Sequence, residues 1–161
     1  LPTSASLGDV IQITGQATAA PRNSVSWSQS SAPGAAWDSV ASSSDGRYFV
    51  AAVYGGAIYT STNFGATWTP TSAPSSAWNA LVSSADGSHL AAVVWGGGIY
   101  VSTNFGATWN LTSAPVDNWR SVASSADGSR LVAGAATSSL YISTNSGATW
   151  TPYSPNGTTQ I

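Results

Sequence analysis

The chain sets short apolar runs between polar turns, and it does so at a fixed rhythm. In the stretch 78–112, residues 78–84 (WNALVSS) predict a strand. Ala85-Asp86-Gly87 predicts a tight turn, because Asp-Gly supports the positive φ values that hairpins demand. Residues 89–95 (HLAAVVW) predict a second strand, and the unbroken apolar run predicts burial on both of its faces. Gly96-Gly97-Gly98 is expected to be a loop, 99–103 a third strand and 108–112 a fourth. Pro74 and Pro115 fall in connectors, where a missing N–H costs nothing.

This pattern returns every 41 residues. Trp37, Trp78 and Trp119 keep that spacing, as do Trp27, Trp68, Trp109 and Trp150. The Asp-Gly pairs at Asp45, Asp86 and Asp127 and the Ser-Ala-Pro triplets at Ser31, Ser72 and Ser113 follow it too. Three complete units result, 28–68, 69–109 and 110–150. Four strands in about 40 residues, repeated, predict an all-β fold of propeller-type blades. A β-solenoid is the alternative, although its coils are usually shorter.

The ends extend the pattern. Residues 10–14 (VIQIT) fall opposite a second strand, and Trp27 falls in register with the tryptophan that closes each unit. Residues 1–27 are therefore expected to form an arm and a partial blade, and 151–161 a closing segment. Together they make a composite blade, for about four in all. A ring closed within one chain, a half-ring that dimerises and an open arc all fit this count.

The octapeptide STNFGATW stands at 61–68 and 102–109, and STNSGATW at 143–150. Its chemistry is that of a self-satisfied turn. Asn63 is expected to fold back on a backbone N–H two residues on, and Gly65 to supply a backbone angle that other residues resist. Ser61 and Thr67 offer hydroxyls, and Trp68 caps the hairpin with an apolar face.

These residues resemble the Asp-box, or bacterial neuraminidase repeat, of pattern Ser-x-Asp-x-Gly-x-Thr-Trp. Ser61, Asn63, Gly65, Thr67 and Trp68 fit it. Ser102, Asn104, Gly106, Thr108 and Trp109 do so again, and Ser143, Asn145, Gly147, Thr149 and Trp150 a third time. All three copies carry Asn where the pattern has Asp. The resemblance implies a propeller in which the box lies away from any active site. It implies no function, since the motif is shared by sialidases, other glycoside hydrolases, sortilin-type receptors and photosystem assembly factors.

Composition narrows the function classes. Only 6% of residues are charged, with four Lys+Arg against six Asp+Glu and a net charge of −2. That is too little positive charge for nucleic acid or an anionic membrane. Cysteine is absent and His89 is the single histidine, so no metal site or cofactor is expected. No apolar run approaches a membrane span. The chain has no initiator Met and reads as processed or excised. The Ser, Thr and Trp content suits an extracellular protein, and the sequons at Asn110 and Asn156 permit glycosylation.

One end of each blade carries the Asp-Gly turns and octapeptides, nearly unchanged between units. The other end differs. Asp38, Asn79 and Arg120 share one repeat position, and Tyr54, Trp95 and Ala136 another. Val116-Asp117-Asn118 replaces Ser75-Ser76-Ala77. Trp95, Tyr54, Asp38, Asn79, Arg120 and Asp117 are therefore the candidate ligand-binding residues. Trp95 offers a flat face for a sugar ring, or alternatively packs on the neighbouring blade. Trp37, Trp78 and Trp119 are expected between blades.

Catalysis is not expected. A glycosidase needs two carboxylates at a set separation, and after the three turn aspartates only Asp9, Asp38 and Asp117 remain. The sequence thus predicts a non-catalytic extracellular module that recognises a glycan or a protein surface through its variable face. The alternative is a structural subunit that self-assembles into a coat, fibre or filament, because a surface with so little charge resists association weakly. A fragment of a sialidase-like glycosidase is the remote alternative.

Overall fold

The computed structural model describes residues 29–136 and 139–153. Residues 1–28 and 154–161 lie outside it, and with them most of the expected composite blade.

Three four-stranded units follow one another. The first holds β1 (Trp37–Ser42), β2 (Phe49–Gly56), β3 (Ile58–Ser61) and β4 (Thr69–Pro70). The second holds β5 (Ser76–Ser83), β6 (Leu90–Gly97), β7 (Ile99–Ser102) and β8 (Asn110–Leu111). The third holds β9 (Asp117–Ser124), β10 (Leu131–Ala135), β11 (Leu140–Ser143) and β12 (Thr151–Tyr153). Within each unit consecutive strands pair antiparallel, as the Asp-Gly hairpins require.

Several boundaries differ from expectation; β5 starts at Ser76 and not at Trp78, and Asp117 and Asn118 belong to β9. Gly96 and Gly97 belong to β6 and are not a loop. The far end of β6 pairs with β9 of the next unit, Trp95 opposite Asn118 and Gly97 opposite Asp117, with Gly96 as the extra residue at the register shift between them. The fourth strand is a two-residue edge in the first two units, far shorter than 108–112. Short edges of this kind, carrying Pro70 in the first unit and Pro152 in the third, limit pairing with other chains.

The units pack through shared cores. Val50, Ile58, Trp78, Leu81, Leu90 and Ala92 form one, between the first and second units. Val93, Ile99, Trp119 and Ala133 form the other, between the second and third. Trp78 and Trp119 are fully buried, as expected of residues between blades. Each meets a tyrosine of its own unit edge-on, Tyr100 at 5.2 Å and Tyr141 at 5.3 Å. The Trp78 indole N–H donates back to the Gly56 carbonyl at 3.0 Å. Near the Asp-Gly turns, Ser44 N–H donates to the Ala85 carbonyl and Ala85 N–H to the Ala126 carbonyl, each at 2.7 Å. Four-stranded sheets stacked face to face and joined by an identical step are propeller blades.

The turn aspartates are held as acceptors. Asp86 accepts from the Ser84 hydroxyl at 2.6 Å and from Ser88 N–H at 3.0 Å, and Asp127 from the Ser125 hydroxyl at 2.5 Å and Ser129 N–H at 3.1 Å. The serine hydroxyls first, then the backbone donors, pull both carboxyls from the usual 3.8 down to about 2, and Asp45 is lowered in the same way. A carboxyl whose folded value is depressed stabilises the fold above its unfolded value. That contribution is lost as pH falls from 3.8 through about 2. The melting temperature is therefore expected to hold from neutral pH to about 5 and then drop, and the Asp86→Asn/Asp127→Asn variant to drop less steeply. Thermal melts across that window check this.

Candidate binding face

The octapeptides close their turns internally, three times over. The Ser61 hydroxyl accepts from Gly65 N–H and donates to Asn63 Oδ1, both at 3.0 Å. Asn63 Oδ1 also accepts from Thr67 N–H, and its amide donates to the Thr67 hydroxyl, both at 2.9 Å. The asparagine thus reaches four residues on and not two, while the serine serves the nearer N–H. Ser102-Asn104-Thr108 and Ser143-Asn145-Thr149 repeat the set. The N–H groups of Phe64, Phe105 and Ser146 donate to carbonyls just past the Asp-Gly turns, so turns and octapeptides share one end of the blades. Buried serines and satisfied amides leave this motif little with which to hold a ligand.

The described Asp86, Ser88 and His89 lie at that end too, and they do not form a nucleophilic triad. Ser88 stands between Asp86 and His89, its hydroxyl 2.8 Å from both Asp86 Oδ2 and His89 Nδ1. The imidazole is therefore not gripped by the carboxylate, as a nucleophilic triad requires. Among the described residues no three or more His, Asp or Glu side chains converge as metal ligands. Among the described residues no helix is long and apolar enough to cross a membrane.

The opposite end is different. Trp95 follows the buried run of β6 and is 37% exposed. Gly96, in the left-handed region at φ 68°, follows it, and the β6–β9 register shifts there. The Arg120 guanidinium, from β9, lies over the indole at 4.7 Å from the ring centroid. Asn118 is the register partner of Trp95 across the seam, and its Oδ1 stands near Gly96, 3.8 Å from where a Cβ there would lie. An aromatic ring, an amide and a guanidinium thus meet at the seam between the second and third blades.

Asn79 and Tyr54 lie apart from that cluster. Asn79 turns its amide onto the Trp119 carbonyl at 2.9 Å. Asp117 accepts from Asn118 N–H at 2.7 Å. Asp38 lies on β1, and Tyr54 lies at the seam before, opposite Ala77. Asn118 was marked in the sequence only as part of a triplet that differs between units. Its place beside Trp95 follows from a register across two blades.

The family model described as "DUF6242 beta propeller domain" matches residues 6–130, and the chain belongs to that family. No curated protein matches it. Solved structures share the fold. A GH74 enzyme from Niastella koreensis has a TM-score of 0.60 at 23% identity, over 72% of this chain and 17% of its own. YCF48 bound to D1 peptide has 0.61 at 15%, over 73% and 40%. The computationally designed Ika4 protein has 0.62 at 13%, over 76% and 74%. The chain spans under a fifth of the GH74 enzyme and two fifths of YCF48.

Proposed function

We propose that this propeller is a non-catalytic, extracellular recognition module that binds glycans at the seam formed by Trp95, Asn118 and Arg120. The observation that carries the reading is the Arg120 guanidinium on the exposed Trp95 ring, at 4.7 Å. Sugar sites pair an aromatic face with a few placed donors, and this seam supplies both. The octapeptides at the other end act as Asp-box staples, with asparagine filling the role of the aspartate. Absence of chemistry is supported by the carboxylates: the chain has no Glu, and three of its six Asp are turn acceptors. The likeness to YCF48 with a bound peptide supports surface recognition as a use of this fold.

A glycan array tests the reading. The wild type is expected to bind a restricted set of sugars, and Trp95→Ala to lose that binding while lowering the melting temperature by no more than about 4 °C. An array that stays silent, or a signal indifferent to Trp95, overturns it.

A second reading, a self-assembling structural subunit, is favoured by one observation. On the first blade, whose preceding residues 1–28 lie outside the described structure, Val40 and Phe64 are 71% and 68% exposed, while their repeat mates Leu81 and Phe105, covered by the blade before them, are 7% and 41%. Light scattering separates the two: growth with concentration and no glycan hit supports assembly, and a monodisperse protein supports recognition.

A further inference from the structure

Trp95 has a counterpart on its own face. Tyr54 holds the same station one repeat earlier. Each ring is followed by a left-handed glycine, Gly55 at φ 71° and Gly96 at φ 68°. Each sits at a register shift where its strand pairs with the first strand of the next blade. Tyr54 and Trp95 are 56% and 37% exposed. The third repeat has Ala136 at this position, so the aromatic series stops at two. Both rings stand on paired strands, which fixes their relative placement better than loops would.

Their polar surroundings differ. Beside Trp95 stand Asn118 and Arg120. Beside Tyr54, Asn79 faces away onto the Trp119 carbonyl, and the register partner is Ala77. One station therefore offers a ring with two donor groups, and the other a ring with no charged neighbour at the matching position.

We propose, on the strength of the glycan-binding reading above, that the ligand is an extended chain of pyranose sugars lying across two blade seams. Trp95 and its donors anchor one sugar, and Tyr54 stacks on another farther along. A ring with Ala77 and Asn79, and no cation, at the matching positions fits the flat C–H face of a neutral pyranose with equatorial hydroxyls. Axial substituents would lift such a sugar off the ring. Cellulose-type chains have this geometry.

Calorimetric titration with cellobiose and cellohexaose tests the proposal. Wild type is expected to hold cellohexaose about tenfold more tightly than cellobiose, the scale of one aromatic contact. Tyr54→Ala removes that advantage and leaves cellobiose affinity unchanged, Tyr54→Phe restores it, and Trp95→Ala loses both sugars. Equal affinity for the two lengths, or a silent Tyr54→Ala, overturns the proposal. So does failure of both sugars to bind while an array glycan still depends on Trp95, an outcome that leaves the recognition reading intact. Loss of Trp95 dependence on every array glycan removes the reading itself.

Discussion

Trp78→Ala is expected to lower stability by about 3–5 kcal/mol, the range for truncating a large buried aromatic. The indole is fully buried. It meets Tyr100 edge-on at 5.2 Å and Trp109 at 6.5 Å. Its N–H also satisfies the Gly56 carbonyl of the preceding blade, so alanine leaves both a cavity and a carbonyl without its donor. For a domain of this size the loss corresponds to a fall in melting temperature of about 10 °C or more. Trp37→Ala removes the same side chain from a half-buried site and is expected to cost less. Urea denaturation of both variants gives the comparison. Equal, small losses would mean that the shared core between blades is not where the stability resides.

That comparison also shows what the sequence made legible. The repeat was readable because each copy repeats residues with strong conformational or packing demands: indoles at fixed stations, Asp-Gly at each hairpin, glycine in each octapeptide. The strands then followed from the intervals. Gly96 and Gly97 misled because a glycine run, read locally, has high conformational cost in a strand. The hydrogen bonds that offset this come from β9, on the next blade, and no local reading contains them. For a related reason the octapeptide's sequence predicts a shorter Asx-turn than the one formed. Its four-residue reach needs Phe64 and Phe105 at φ 59° and 58°, and bulky residues seldom adopt that region. Trp95 and Arg120 were marked by their difference from the other repeats. Their meeting depends on register, as does the presence of Asn118 beside them and the turning away of Asn79.

Gly128→Ala is the second large effect expected, and Gly46→Ala gives the means to apportion it. Both glycines occupy the same position of the Asp-Gly turn, at φ 73° and 71°. A methyl at residue 46 meets nothing within 4 Å. Its cost is the left-handed backbone alone, about 1–2 kcal/mol. At residue 128 a methyl would stand 2.4 Å from His89 Cβ and 3.3 Å from Ser84 Cβ, both on the preceding blade. A Cβ is fixed to its backbone and cannot rotate aside, so the blades themselves must separate. Overpacking of this kind adds about 1–3 kcal/mol. Asparagine sharpens the test, because it tolerates the left-handed region yet still carries a Cβ. Gly46→Asn is expected to be nearly neutral, and Gly128→Asn to be almost as damaging as alanine. If denaturation gave equal losses at the two positions, the close approach of successive blades at their hairpin ends would be wrong, and with it the packing that holds the Trp95 seam in place.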